Sequence, residues 1–158
     1  MFGTIAGGRF VPNDAGRMVE DGVASLPGRF THVRVDTSVV MPDHVHLILL
    51  IGEGPRAAIP ADAGAATPTD AGAATPTEWA ATPREWAATR AAPTLGDIVG
   101  AFKSVTTVWY IRGVHRCGWP PFTQRLWQRD YHDHVVRDAS DLARIRRYIL
   151  DNPANWRP

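Results

Sequence analysis

Met41-Pro42-Asp43-His44-Val45-His46-Leu47-Ile48-Leu49-Leu50-Ile51, residues 41–51, is the stretch that decides the fold of this chain. Pro42-Asp43 is turn chemistry: proline presets φ and aspartate tolerates the tight backbone that follows. Before it come Val33, Val35, Val39 and Val40, and after it an unbroken apolar run from Leu47 to Ile51. Two β-rich segments flanking a short turn predict an antiparallel hairpin. The unbroken run predicts a second strand buried on both faces for much of its length. Positions i and i+2 of a strand point to one face. The imidazoles of His44 and His46 therefore project together, and Val45 points the other way, into the core.

Working outward, Phe2 to Ile5 and Arg9 to Val11 flank Ala6-Gly7-Gly8 and read as a second hairpin over residues 2–12. Asp14 to Ser25 reads as a helix capped by Asn13 or Asp14 and ended by Pro27-Gly28. Residues 53–93 break the pattern. Asp62-Ala63-Gly64-Ala65-Ala66-Thr67-Pro68-Thr69 recurs unchanged at Asp70 to Thr77, and degenerate units follow at Glu78 and Glu85. Units of seven or eight residues are too short for a solenoid, and Ala, Thr, Pro and Gly dominate, so the stretch reads as a mobile low-complexity insert. Order resumes at Thr94, which forms a capping box with Asp97. Leu95, Ile98, Val99, Phe102 and Val105 then share a helical face. Residues 112–122 read as a Gly/Pro-rich connection and Leu126 to Val136 as a further strand. Asp138 caps a last helix through Leu150, with Leu142, Ile145 and Ile149 on its stripe and Asn152-Pro153 as its stop. The expected class is α+β: a small antiparallel sheet with helices packed on it, one domain over 1–158 interrupted by 53–93.

Composition narrows the function classes. At 158 residues, 44% apolar and 21% charged, the chain has the make-up of one globular domain. A single cysteine, Cys117, excludes an internal disulfide and a cysteine-rich zinc site, and fits a reducing cytoplasm. No apolar run approaches a membrane span, and Met1 to Thr4 lacks the basic and apolar regions of a signal peptide. The net charge of +1 conceals an asymmetry. Residues 1–94 hold 7 Lys/Arg against 10 Asp/Glu, whereas 95–158 hold 10 against 6. The C-terminal half is thus the side expected to meet a polyanion, although solvated helices carry arginines too.

Two constellations carry chemistry. Paired imidazoles on one strand face suit a divalent ion such as Mn²⁺, or are polar-face histidines. Tyr148 and Asn152, at i and i+4, share a face of the last helix, and Arg144 lies at i−4 to Tyr148. Tyr148 reads either as an amphipathic core residue at the edge of the apolar stripe or as a phenol nucleophile, with the Asn152 side-chain oxygen as a third metal ligand.

Five segments in order resemble the REP-associated tyrosine transposases, single-tyrosine HUH enzymes. They are Phe2-Gly3-Thr4-Ile5, Met41 to His46, Gly96 to Ser104, Leu126-Trp127-Gln128-Arg129-Asp130-Tyr131, and Tyr148-Ile149-Leu150-Asp151-Asn152-Pro153. The resemblance covers nearly everything outside 53–93. It implies a ferredoxin-like or RRM-like HUH fold with the histidine pair on a central strand. It implies that His44, His46 and Asn152 hold a divalent metal, Mg²⁺ or Mn²⁺, and that Tyr148 is the nucleophile. The implied substrate is single-stranded DNA near hairpins of repetitive extragenic palindromes, handled by a monomer or homodimer in the cytoplasm with no membrane partner. Under this reading Lys103, Arg125, Arg129, Arg144 and Arg147 contact phosphates, and Trp127 and Tyr131 stack on unpaired bases. His134 aligns with a family position to which no role is assigned.

The sequence departs from that family in two places. Family members carry a further strand upstream of the Phe-Gly segment, beside the histidine strand. Its absence predicts an unpaired sheet edge and exposed apolar surface. The family also carries Asn where this chain has Asp43. Three function classes follow: an active nickase and strand transferase, a catalytically impaired remnant that at most binds DNA hairpins, and a metal-dependent hydrolase unrelated to DNA that uses Asp43 to activate water.

Overall fold

A computed structural model describes residues 1–52 and 93–157; the repeats, within 53–92, lie outside the described residues. The chain is α+β; among the described residues there are two small antiparallel sheets and four helices, compatible with a small ferredoxin-like arrangement. Strands β1 (Gly3–Ala6) and β2 (Arg9–Pro12) form the first hairpin. Helix α1 (Asp14–Ala24) follows, capped by Asn13, whose Oδ1 accepts from the Gly16 N–H at 2.9 Å. A single further turn, α2 (Leu26–Arg29), runs over Pro27-Gly28, where the sequence pointed only to a stop. Strands β3 (Val33–Val40) and β4 (Val45–Ile51) form the second hairpin, and helices α3 (Leu95–Cys117) and α4 (Ala139–Asn155) complete the fold.

The β3–β4 hairpin organises the molecule. Met41 N–H donates to the His44 carbonyl at 2.8 Å, leaving Pro42 and Asp43 as a two-residue turn. Register slips between Val35 and Thr37, so Asp36 is an extra residue in β3, a bulge that redirects its side chain. Val33, Val35, Val40, Val45 and Leu49 join the main core with Met18, Val19 and Val23 of α1 and Ile98, Phe102 and Trp109 of α3. His46 and Ile48 alternate onto the opposite face of β4, and α4 contacts both strands of the hairpin. Only Ile48 of β4 is fully buried. The strand is covered on both faces but half-buried along most of its length. Its outer edge pairs with no strand among the described residues.

Close approach explains two glycines. Gly22 of α1 lies where a Cβ would come within 2.7 Å of the Thr106 methyl of α3, so α1 and α3 cross tightly. A Cβ on Gly113 would run into the Trp119 indole.

Three sequence expectations need correction. Helix α3 runs to Cys117 instead of breaking near 112, because Gly118 at φ 67° supplies the left-handed cap. Leu126 to Val136 is not a strand. Only Leu126 is buried there, and the Gln128, Arg129 and Asp130 carbonyls accept from the Lys103 ammonium at 2.8, 3.3 and 3.2 Å rather than from a neighbouring strand. Helix α4 passes through Asn152 and Pro153 to Asn155. Proline there removes one N–H bond within the last turns without ending them.

Candidate functional site

The two-residue turn puts His44 just before β4 and His46 inside it, on the face turned to α4. Their Nε2 atoms are 3.0 Å apart and their rings meet edge-on, with centroids 4.7 Å apart. On the other ring nitrogen, His44 Nδ1 is 2.7 Å from Asp43 Oδ1. The Trp156 ring, just past the end of α4, lies 5.6 Å from the His44 ring.

Helix α4 brings the remaining groups. The Tyr148 ring stands edge-on to His46, centroids 5.7 Å apart, and Tyr148 is 60% exposed, its phenol open to an incoming molecule. One turn further on, the Asn152 side chain lies close enough to His46 to oppose the lowering of its pKa. Because α4 continues through Asn152, the i, i+4 stacking of these two side chains is kept. The helix is oriented by Arg146, which donates through Nε to Asp36 Oδ2 at 2.7 Å and through its terminal nitrogen to Oδ1. The β3 bulge thus presents the carboxylate that holds the tyrosine-bearing helix.

Electrostatics favour neutral imidazole at His46. Burial lowers its pKa first and the neighbouring His44 second, and the Asn152 side chain opposes them. The two imidazoles could hold a divalent cation: their Nε2 atoms face each other 3.0 Å apart, a hydrogen-bond separation that neighbouring ligands on one ion could also take. The donor set is two imidazoles with an amide oxygen within reach. Among the described residues no group of three or more His, Cys, Asp or Glu side chains could hold a metal. Asp43 Oδ1 sits on the Nδ1 side of His44, away from the shared Nε2 space, and does not face it as a water-activating base must.

The other residues singled out in the sequence separate into two groups. Arg144, Arg147, Tyr148, Asp151, Asn152 and Asn155 lie together on one open face of α4. Arg125, Arg129 and Tyr131 are exposed away from it. Two of the expected DNA contacts are engaged inside the fold. The Lys103 ammonium is held by three carbonyls and lies 5.6 Å from the Tyr131 ring centre. Trp127 packs between Phe2 and Phe102, with centroids 5.2 and 5.5 Å away, and donates its indole N–H to the buried Thr106 hydroxyl at 2.8 Å. The Trp127 indole is half-buried and packs against the core. Tyr110, by contrast, is 2% exposed and donates its hydroxyl to the Pro120 carbonyl. His134 pairs with Asp141 at 2.9 Å, and Asp141 also accepts from Arg144.

Sequence reasoning missed Asp36, Arg146 and Trp156. Asp36, a polar residue breaking a run of β-formers, was a signal of the bulge. Arg146 and Trp156 had no local signal.

No family model matches the chain, and no solved structure matches it. The chain is similar to an uncharacterized protein of Haemophilus influenzae. The two are 29% identical over 158 residues, a span of 99% of this chain and 74% of that protein.

Proposed function

We propose that this chain is a transposase-like HUH endonuclease that cuts and rejoins single-stranded DNA at hairpin-associated sites through Tyr148. The observation that carries the reading is the meeting of four groups from distant parts of the sequence: His44 and His46 with facing nitrogens, and Asn152 and an exposed Tyr148 laid against His46. A core tyrosine has no need of that company or of 60% exposure. The basic C-terminal half, with Arg144 and Arg147 on the α4 face that carries Tyr148, suits a phosphate backbone.

His44, His46 and Asn152 would hold a divalent cation, Mg²⁺ or Mn²⁺. When bound, such an ion supplies charge neutralisation of the scissile phosphate. The chain's own residues do the rest. Arg144 and Arg147 bind the phosphate backbone beside Tyr148. Tyr148 gives up its phenolic proton and attacks phosphorus, forming a bond to the phenolic oxygen while the bond to the 3′ oxygen breaks. The 3′ oxygen takes a proton and leaves as a hydroxyl, and the phosphate stays on Tyr148 as a 5′-phosphotyrosine. One phosphoester replaces another, so rejoining by a 3′-hydroxyl needs no ATP.

The test is incubation of the full chain with Mn²⁺ and a hairpin-bearing single-stranded oligonucleotide, followed by denaturing electrophoresis. Wild type is expected to give a covalent protein–DNA adduct and Tyr148→Phe none. An undiminished adduct in Tyr148→Phe would overturn the assignment and shift it to Tyr131. Salt-sensitive hairpin binding without any adduct would instead favour a non-catalytic hairpin-binding protein.

A further inference from the structure

The two imidazoles of the candidate site are held differently. His46 is flanked by Tyr148 and Asn152, both from α4. His44 is held from its own turn, by Asp43 Oδ1 at 2.7 Å from Nδ1, with Trp156 alongside. A carboxylate only accepts hydrogen bonds, so Nδ1 must carry the proton in that contact. In neutral imidazole the other nitrogen is then a bare lone pair. The contact facing it, 3.0 Å from His46 Nε2, needs a single proton between the two nitrogens, which falls to His46.

We infer that Asp43 is the positioning residue of this site: it fixes His44 in the Nδ1–H form, aims the Nε2 lone pair at the space shared with His46, and strengthens His44 as a ligand. The inference rests on the reading of that space as a divalent-cation site. Its chemistry is that of carboxylate–histidine–metal groupings, where the outer carboxylate sets ring orientation and raises ligand basicity. The turn makes the contact possible. Met41 N–H closes on the His44 carbonyl, so residue 43 is held beside the first ring, and its Oδ1 meets Nδ1 there. A carboxylate adds charge that an amide lacks. Asp43 is 59% exposed at its side chain, and water weakens its influence. The effect therefore belongs at the lower end of the range that outer carboxylates show.

Two measurements on the full chain decide it. In calorimetric titration with MnCl₂, Asp43→Ala is expected to bind about tenfold more weakly than wild type. Asp43→Asn, which keeps an acceptor but not the charge, is expected to fall between them. A loss smaller than threefold in Asp43→Ala overturns the inference, as does an Asp43→Asn protein weaker than Asp43→Ala. Circular dichroism should show both variants folded, since Asp43 is exposed and bonds only its neighbour. The second measurement needs no metal. Long-range nitrogen–proton NMR of the imidazoles should find His44 protonated on Nδ1 in wild type, with Asp43→Ala shifting the proton toward Nε2. Finding His44 protonated on Nε2 in wild type overturns the inference outright. If wild type takes up no Mn²⁺, the metal-centre reading falls, and the NMR result alone decides whether Asp43 sets the tautomer.

Discussion

Helices α3 and α4 are attached to the molecule in opposite ways. Of the 23 residues of α3, seven are buried: Ile98, Ala101, Phe102, Thr106, Trp109, Tyr110 and Gly113. Of the 17 residues of α4, two are, Ile149 and Pro153. Helix α3 is held by apolar contact along its length, α4 by a narrow seam and one ion pair, Arg146 with Asp36. The candidate chemistry sits on the loosely held helix. Its polar face stays open to solvent, and it belongs to the part of a fold that opens at low free-energy cost. The β3–β4 hairpin carries the imidazoles, while the less buried helix carries the phenol.

The sharpest test of that contrast is a pair of truncations. Ile98→Ala in α3 should lower global stability by about 3–5 kcal/mol, and Ile149→Ala in α4 by about 2–3 kcal/mol, both read by urea denaturation. Equal losses would erase the difference drawn between the helices. A smaller effect is expected from Arg146→Ala. Arg146 is 44% exposed at its side chain, so solvent screening holds the loss to about 0.5–1 kcal/mol. Amide exchange over Ala139–Asn155 should quicken while that of Leu95–Cys117 stays as it was. Uniform change in both helices would show that the ion pair does not hold α4 in particular.

The mildest perturbation is acid. Hydrogen bonds from Arg146 are the main cause of the lowered pKa of Asp36. Hydrogen bonds from His134 and then Arg144 bring Asp141 down to about 2. For carboxyls lowered in the folded state, the stabilisation is present above the unfolded value of about 4 and is lost as pH falls through the folded value. Loosening of α4, followed by amide exchange, should therefore begin below about pH 4 and, for Asp141, be complete only below about 2. Loosening that set in near pH 6 instead would assign the hold on α4 to histidines.

Much of the local structure was legible because it is written in short-range chemistry. Thr94 and Asp97 make the reciprocal capping box, Asp138 caps α4, and Pro42-Asp43 turns the hairpin. What went astray depended on distant partners. Leu126 to Val136 alternates enough to resemble a strand, but its carbonyls are taken by Lys103, 25 to 27 residues away. Trp127 looked available to stack on bases until the Phe2 and Phe102 rings closed on it. Helix α4 outran its proline because one missing N–H does not by itself end a helix.

The sequence alone determined the α+β class, the shared face of His44 and His46, and the shared face of Tyr148 and Asn152. All three follow from periods of two and 3.6 residues, properties of the backbone. Only the tertiary structure decided that these two faces meet, since that depends on a bulge at Asp36 and on Arg146, 110 residues further along, reaching it. Local periodicity orients side chains about their own element; it holds no information about which element will lie opposite.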